Sequence, residues 1–72
     1  ATGAVGRMRE ASARTALEAV LASDTSAVVR RNAAWALGRI GDPASRTALT
    51  AAVNDPSPLV GSTAKAALAA LR

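Results

Sequence analysis

The side chains able to do chemistry in this sequence are few and of restricted type. There is no cysteine and no histidine. That removes the thiolate as nucleophile and zinc ligand, and imidazole as the commonest general base and metal ligand. The five carboxylates are Glu10, Glu18, Asp24, Asp42 and Asp55. The three aspartates fall at loops and helix starts, where their ordinary work is to cap backbone N–H groups, so no metal site is expected from them. Serines and threonines are plentiful, but without a histidine to activate them they read as cap and turn residues. Gly38 and Gly41 lie at a helix end rather than after a strand, so they do not make a phosphate-cradling loop. The expectation is no catalytic residue, no cofactor and no enzyme.

Two features remain. The net charge is +4, and every basic residue but Lys65 is an arginine. Arg7, Arg9, Arg30, Arg31 and Arg39 could together meet nucleic-acid phosphates, although arginine in an Ala- and Gly-rich chain also serves solubility. The other feature is Trp35, the only aromatic residue in the chain. What either can do depends on the elements that place it.

Those elements come from a near-repeat with a period of roughly 31 to 32 residues, a length that marks stacked supersecondary units. Asp24-Thr25-Ser26-Ala27-Val28-Val29 lies over Asp55-Pro56-Ser57-Pro58-Leu59-Val60, and at the same offset Ala33–Leu37 lies over Ala64–Leu68. Upstream the offset is longer by a single position. There Arg14-Thr15-Ala16-Leu17 lies over Arg46-Thr47-Ala48-Leu49, and Ala4-Val5-Gly6-Arg7-Met8 lies over Ala36-Leu37-Gly38-Arg39-Ile40. Apolar residues at helical spacing define four segments. They are Ala13, Ala16, Leu17, Val20 and Leu21; Val29, Ala33, Ala36, Leu37 and Ile40; Ala48, Leu49, Ala52 and Val53; and Val60, Ala64, Ala67, Leu68 and Leu71. Ser26 and Ser57 sit as N-caps, Pro58 at a first helical position, Asp42-Pro43 before the third helix, and Gly41 just past a helix end. No run alternates with period two, so strands are not expected.

The pattern predicts an all-α, right-handed solenoid of helical hairpins at 13–40 and 45–71, in one domain. Residues 1–11 read as the tail of a preceding second helix, 12–41 as one repeat and 42–72 as another. Two repeats and a remnant make a short array, and the core is mostly alanine, so stability is marginal. Self-association or further repeats of the same protein would cover the exposed ends. No apolar run approaches the roughly 20 residues that span a bilayer, and the opening residues lack a secretory layout. A soluble cytoplasmic protein with no membrane association is the expectation.

Asp24–Asp42, DTSAVVRRNAAWALGRIGD, followed by Ala48–Asp55, ALTAAVND, resembles the HEAT-like repeats of phycobilisome lyase subunits. The resemblance rests on Val29-Arg30-Arg31, Leu37-Gly38-Arg39-Ile40-Gly41 and Asp42-Pro43. It implies an inter-repeat ladder in which the Asp after a first helix meets the first Arg of a second helix, here Asp24, Asp55 and Arg30. The second repeat departs from the pattern with Gly61 and Ser62 where Arg30 and Arg31 stand, as a terminal repeat would tolerate. By the same resemblance, roles in protein assembly, nucleic-acid binding and bilin lyase-like chaperoning are all represented.

On a helical wheel Trp35 falls about 200° from Ala33, away from the hairpin core and beside Val28 and Arg31. One period later Leu59 matches Val28 and Ala66 matches Trp35. Val28, Arg31, Trp35, Leu59 and Ala66 are therefore expected to form a partner-binding strip, with Arg31 against the indole. The function this supports is non-catalytic protein binding or scaffolding through the concave helix layer. Nucleic-acid binding by the arginines is the weaker alternative, and a bilin lyase-like role is third.

Overall fold

The computed structural model describes the backbone of residues 2–71 and the side chains of residues 12–71. Four α-helices follow one another: α1 Thr2–Ser23, α2 Ala27–Ile40, α3 Arg46–Ala52 and α4 Pro58–Ala70, with a single 3₁₀ turn, Pro43–Ser45, leading into α3. There is no strand among the described residues. Helices α1 and α2 form one hairpin, α3 and α4 the next, and α2 lies between α1 and α4.

The turns form as their residues dictate. Asp24 Oδ1 accepts from the Ser26 N–H at 2.8 Å, and Ser26 Oγ accepts from the Val29 N–H at 3.3 Å. The same Asx turn recurs one period later, where Asp55 Oδ1 accepts from the Ser57 N–H at 2.8 Å. Ser57, expected as a side-chain cap, makes no cap hydrogen bond. Pro58 follows it and has no N–H, so the first turn of α4 has one donor fewer to satisfy. Gly41 closes α2 in the left-handed region, φ 72°, and its N–H donates to Leu37 O at 3.0 Å. A side chain there would be strained. Asp42 Oδ1 then takes the Ala44 N–H at 2.9 Å, and Pro43 starts the 3₁₀ turn.

The core is Leu21, Ala33, Ala34, Leu37, Leu49, Ala52, Val60, Ala64, Ala67 and Leu71, with Leu17, Val20, Ala48, Val53 and Leu68 packed at its edge. The expected faces of α3 and α4 are the ones that pack. That of α2 differs: Ala34 is wholly buried, whereas Val29 and Ile40 are 39% and 37% exposed. The reason is that α2 packs on two sides, between α1 and α4, with Gly38 against Ala67 of α4. A single-face reading gave it only one neighbour. Ala13 and Ala16 on α1 are likewise exposed rather than packed.

The boundary expected near residue 12 is absent from the backbone, for α1 runs unbroken from Thr2 to Ser23. Gly41-Asp42-Pro43 breaks the chain after α2, but the equivalent positions one period earlier are Arg9-Glu10-Ala11, which carry no glycine or proline and favour helix. The side chains of Arg7 and Arg9 lie outside the described residues.

Candidate protein-binding surface

Two arrangements on the α2–α4 side are built from the residues singled out by sequence. The first joins the hairpins. Arg30, in the first turn of α2, donates from Nε to Asp55 Oδ2 at 2.9 Å and from Nη2 to Asp55 Oδ1 at 3.1 Å, and its Nη1 reaches the Asp24 main-chain carbonyl at 2.7 Å. This is a two-pronged guanidinium–carboxylate pair, the stronger geometry for such contacts. The side chains are only 16% and 10% exposed. The hydrogen bond to Asp55 raises the Arg30 pKa. The hydrogen bonds from Arg30 and from the Ser57 N–H hold the Asp55 carboxyl below its ordinary range. Of the three ladder residues, Arg30 and Asp55 therefore meet directly. Asp24 contributes its carbonyl, while its carboxylate caps Ser26.

A second polar contact, on the outer side, has no counterpart in the sequence reading. Glu18 Oε2 accepts from Arg14 Nη1 at 2.9 Å and from Ser45 Oγ at 3.0 Å, and Ser45 is fully buried. Arg14 Nε lies 3.3 Å from Asp42 Oδ2, close enough for attraction but with no hydrogen bond at that nitrogen. A search for apolar periodicity passes over a buried serine. The available signal was positional, because Ser45 takes the place of Ala13 at the start of an otherwise matching segment.

The second arrangement surrounds Trp35, which is 53% exposed. The Arg39 guanidinium carbon sits 5.1 Å from the centre of its ring. Arg31, the expected partner, instead donates to Asn32 Oδ1 at 3.0 Å. Helical side chains lean toward the N-terminus, so the residue four positions later reaches back over Trp35 and the one four positions earlier leans away. Beside this pair runs an apolar groove of about 230 Å³ between α2 and α4. Gly38 and Ala67 form its floor, Trp35 and Arg39 one wall, and Ala66 and Ala70 the other. The floor is low because the helices touch there: a Cβ on Gly38 would lie 2.8 Å from Ala67 Cβ and 2.9 Å from its Cα.

Of the expected strip, then, Trp35 and Ala66 share a groove. Val28 and Leu59 are 59% and 50% exposed in the first turns of α2 and α4, but they do not line it. Gly38, Arg39, Thr63, Ala67 and Ala70 are the lining residues outside the strip expected from sequence. A glycine inside an α-helix was the signal, since it is tolerated where another backbone comes close. The volume lies below the roughly 300–1,000 Å³ of small-molecule pockets and suits a partner's side chain. No group of three or more metal-ligating side chains occurs among the described residues, and no helix there is long and apolar enough to cross a membrane.

Repeated hairpins, a second-helix layer with an apolar groove and an Arg–Asp pair across the seam describe one kind of α-solenoid. The HEAT repeats profile matches residues 1–72, the length of the chain. The chain belongs to the HEAT repeat family. No curated protein and no solved structure matches it. HEAT repeats generally mediate protein–protein interaction, and proteins built from them are typically non-catalytic scaffolds. In this HEAT repeat pair the small residues of the seam also shape the groove beside it.

Proposed function

We propose that the chain binds another protein by seating an apolar side chain of that partner in the groove between α2 and α4, with Trp35 as the anchor. The observation that supports this most is the half-exposed indole, braced by Arg39 above a floor that Gly38 leaves bare. A tryptophan in such a setting adds little to the fold, but it is among the residue types that most often dominate an interface. Val28 and Leu59 would widen the contact toward the start of the helices, with Arg31 beside them.

The test begins with photo-crosslinking from Ala66 and from Ala70, followed by titration of the captured protein against the intact chain and against Trp35→Ala. The expected loss is at least about 2 kcal/mol of binding, roughly 30-fold in Kd, with little dependence on salt. Equal affinity of the two chains would end the proposal. Capture of nucleic acid with an affinity that falls steeply with salt would favour the arginine-based reading instead. A visible absorbance change on adding a tetrapyrrole would favour the phycobilisome lyase-type role.

A further inference from the structure

The charges beside the Trp35 groove are of one sign and stand on one wall. Arg31, Trp35 and Arg39 occupy positions i, i+4 and i+8 of α2, a single row along one side of the helix. Their equivalents one period later, on α4, are the uncharged Ser62, Ala66 and Ala70. Lys65, the one cation of α4, does not line the groove. Neither helix carries a carboxylate. The ion pairs among the described residues are those of Arg14 and Arg30, so Arg31 and Arg39 have no counter-ion there.

Arg39 is held in place before any partner arrives. Its guanidinium carbon lies 5.1 Å from the centre of the indole, and it makes no side-chain hydrogen bond among the described residues. A guanidinium packed on an aromatic face keeps its N–H edge for a carboxylate, and little freedom is lost when the two meet. Arg31 gives one N–H to Asn32 Oδ1 at 3.0 Å and keeps its other donors.

The lining also selects the form of the occupant. An extended segment would bury backbone N–H and C=O groups against Gly38, Ala66, Ala67 and Ala70, which have no polar side chain, and Thr63 supplies the only hydroxyl. Buried backbone groups without partners are costly. A helix satisfies its own backbone and brings only side chains to the groove.

We propose, on the footing of the protein-binding role given to this groove above, that its occupant is an acidic amphipathic helix. An apolar side chain sits beside Trp35, and a carboxylate one turn to either side of it meets Arg31 and Arg39. These arginines are eight positions apart on α2, about 12 Å at roughly 1.5 Å per residue. On a partner helix aligned with α2 the matching row is a carboxylate at i, an apolar residue at i+4 and a carboxylate at i+8. The side toward α4 carries small or apolar residues. A helix with lysines in the place of the carboxylates meets like charge and is rejected.

Trp35 is the only aromatic residue in the chain, so its fluorescence reports the groove directly. The probe is a synthetic alanine-rich helix of about 20 residues, long enough to hold its form, with glutamate at i and i+8, leucine at i+4 and no aromatic residue. It should shift the Trp35 emission of the intact chain. Lysine in place of both glutamates should weaken Kd by at least about tenfold at low salt, because attraction becomes repulsion at two exposed sites. In 1 M salt, where the screening length is about 3 Å, that preference should shrink severalfold, whereas the loss caused by Trp35→Ala, read by calorimetry, should persist. The double variant Arg31→Glu/Arg39→Glu should prefer the lysine peptide. A proline at the centre of the glutamate peptide should abolish binding. No emission change with the glutamate peptide at millimolar concentration overturns the proposal, as does equal binding of the proline form. Glutamate and lysine peptides that bind alike, both lost with Trp35→Ala, would leave the groove as a binding site and overturn its acidic partner. A glutamate preference untouched by Trp35→Ala and by alanine in place of the peptide leucine would overturn the groove reading itself, and the proposal with it. Displacement of the glutamate peptide by a single-stranded oligonucleotide at lower concentration would assign the arginines to phosphates instead.

Discussion

Helices α2 and α4 meet along a seam and diverge into a groove, and the two regions use opposite materials. Along the seam, Ala34 and Val60 are wholly buried, Gly38 lets the helices touch at Ala67, and Arg30 grips Asp55. A short way around each helix, Trp35, Ala66 and Ala70 face solvent. The chain's largest side chain lies outside the core, while its smallest residues set the contact that holds the hairpins together. Cohesion here depends on close approach rather than on area per residue. Folding and binding can therefore be altered separately.

The strongest way to break the seam is to empty its centre. Leu37 is 0% exposed, and Leu37→Ala should remove about 2–5 kcal/mol. A chain of this size is expected to have only about 4–11 kcal/mol in all, at roughly 0.05–0.15 kcal/mol per residue. Chemical denaturation should show the midpoint moved down by a large fraction of the parent's, with the variant unfolding at room temperature where the parent's stability lies at the low end of that range. Next comes Gly38→Ala. The added methyl meets Ala67 Cα as well as Cβ, so no side-chain rotation relieves it, and overpacking of about 1–3 kcal/mol should outweigh the roughly 1 kcal/mol gain in helix propensity. A variant more stable than the parent would show that the helices part without penalty.

The Arg30–Asp55 pair makes the seam, and not the groove, sensitive to pH. Because Asp55 titrates below its ordinary value of 3.8, its contribution is complete above that value and is lost as pH falls through it toward the lower folded value. Melting temperature should therefore drop below about pH 4. Asp55→Asn should lower the melting temperature at neutral pH and make the acid limb shallower. The hydrogen bond to Asp55 raises Arg30 above its already high ordinary value, so its own titration affects stability only at extreme alkaline pH. The smallest effect belongs to the groove. Trp35→Ala should change unfolding free energy by less than about 1 kcal/mol, where a buried tryptophan would lose about 3–5 kcal/mol. A variant that unfolds would move Trp35 from the surface to the core.

The repeat itself was legible because Asp, Ser, Gly and Pro recur at turns whose geometry demands them. Asp24 and Asp55 each fold back on a backbone N–H two positions on, and Gly41 adopts the backbone conformation that only glycine takes easily. The outward position of Trp35 followed from the helical wheel, and the meeting of Arg30 with Asp55 from the family resemblance. What sequence did not yield depends on a third dimension. That α2 packs on two sides, so that Ala34 rather than Val29 is buried, follows from the position of α4. That Arg39 rather than Arg31 covers the indole follows from the lean of helical side chains, which a wheel projection discards. Ser45 is buried with a hydrogen bond to Glu18, and polar burial has no apolar period to reveal it.

The missing methyl group of Gly38 also has a mechanical meaning. The inner helices α2 and α4 touch backbone to side chain at Ala67, whereas the outer layer is tied across the hairpins by Glu18 and Ser45 through polar side chains. Any difference between inner and outer spacing is an angle between one hairpin and the next. In a stack of such units that angle accumulates into an arc. A contact a few ångströms across, decided by a single absent carbon, therefore acts as a setting for the curvature of everything built upon it.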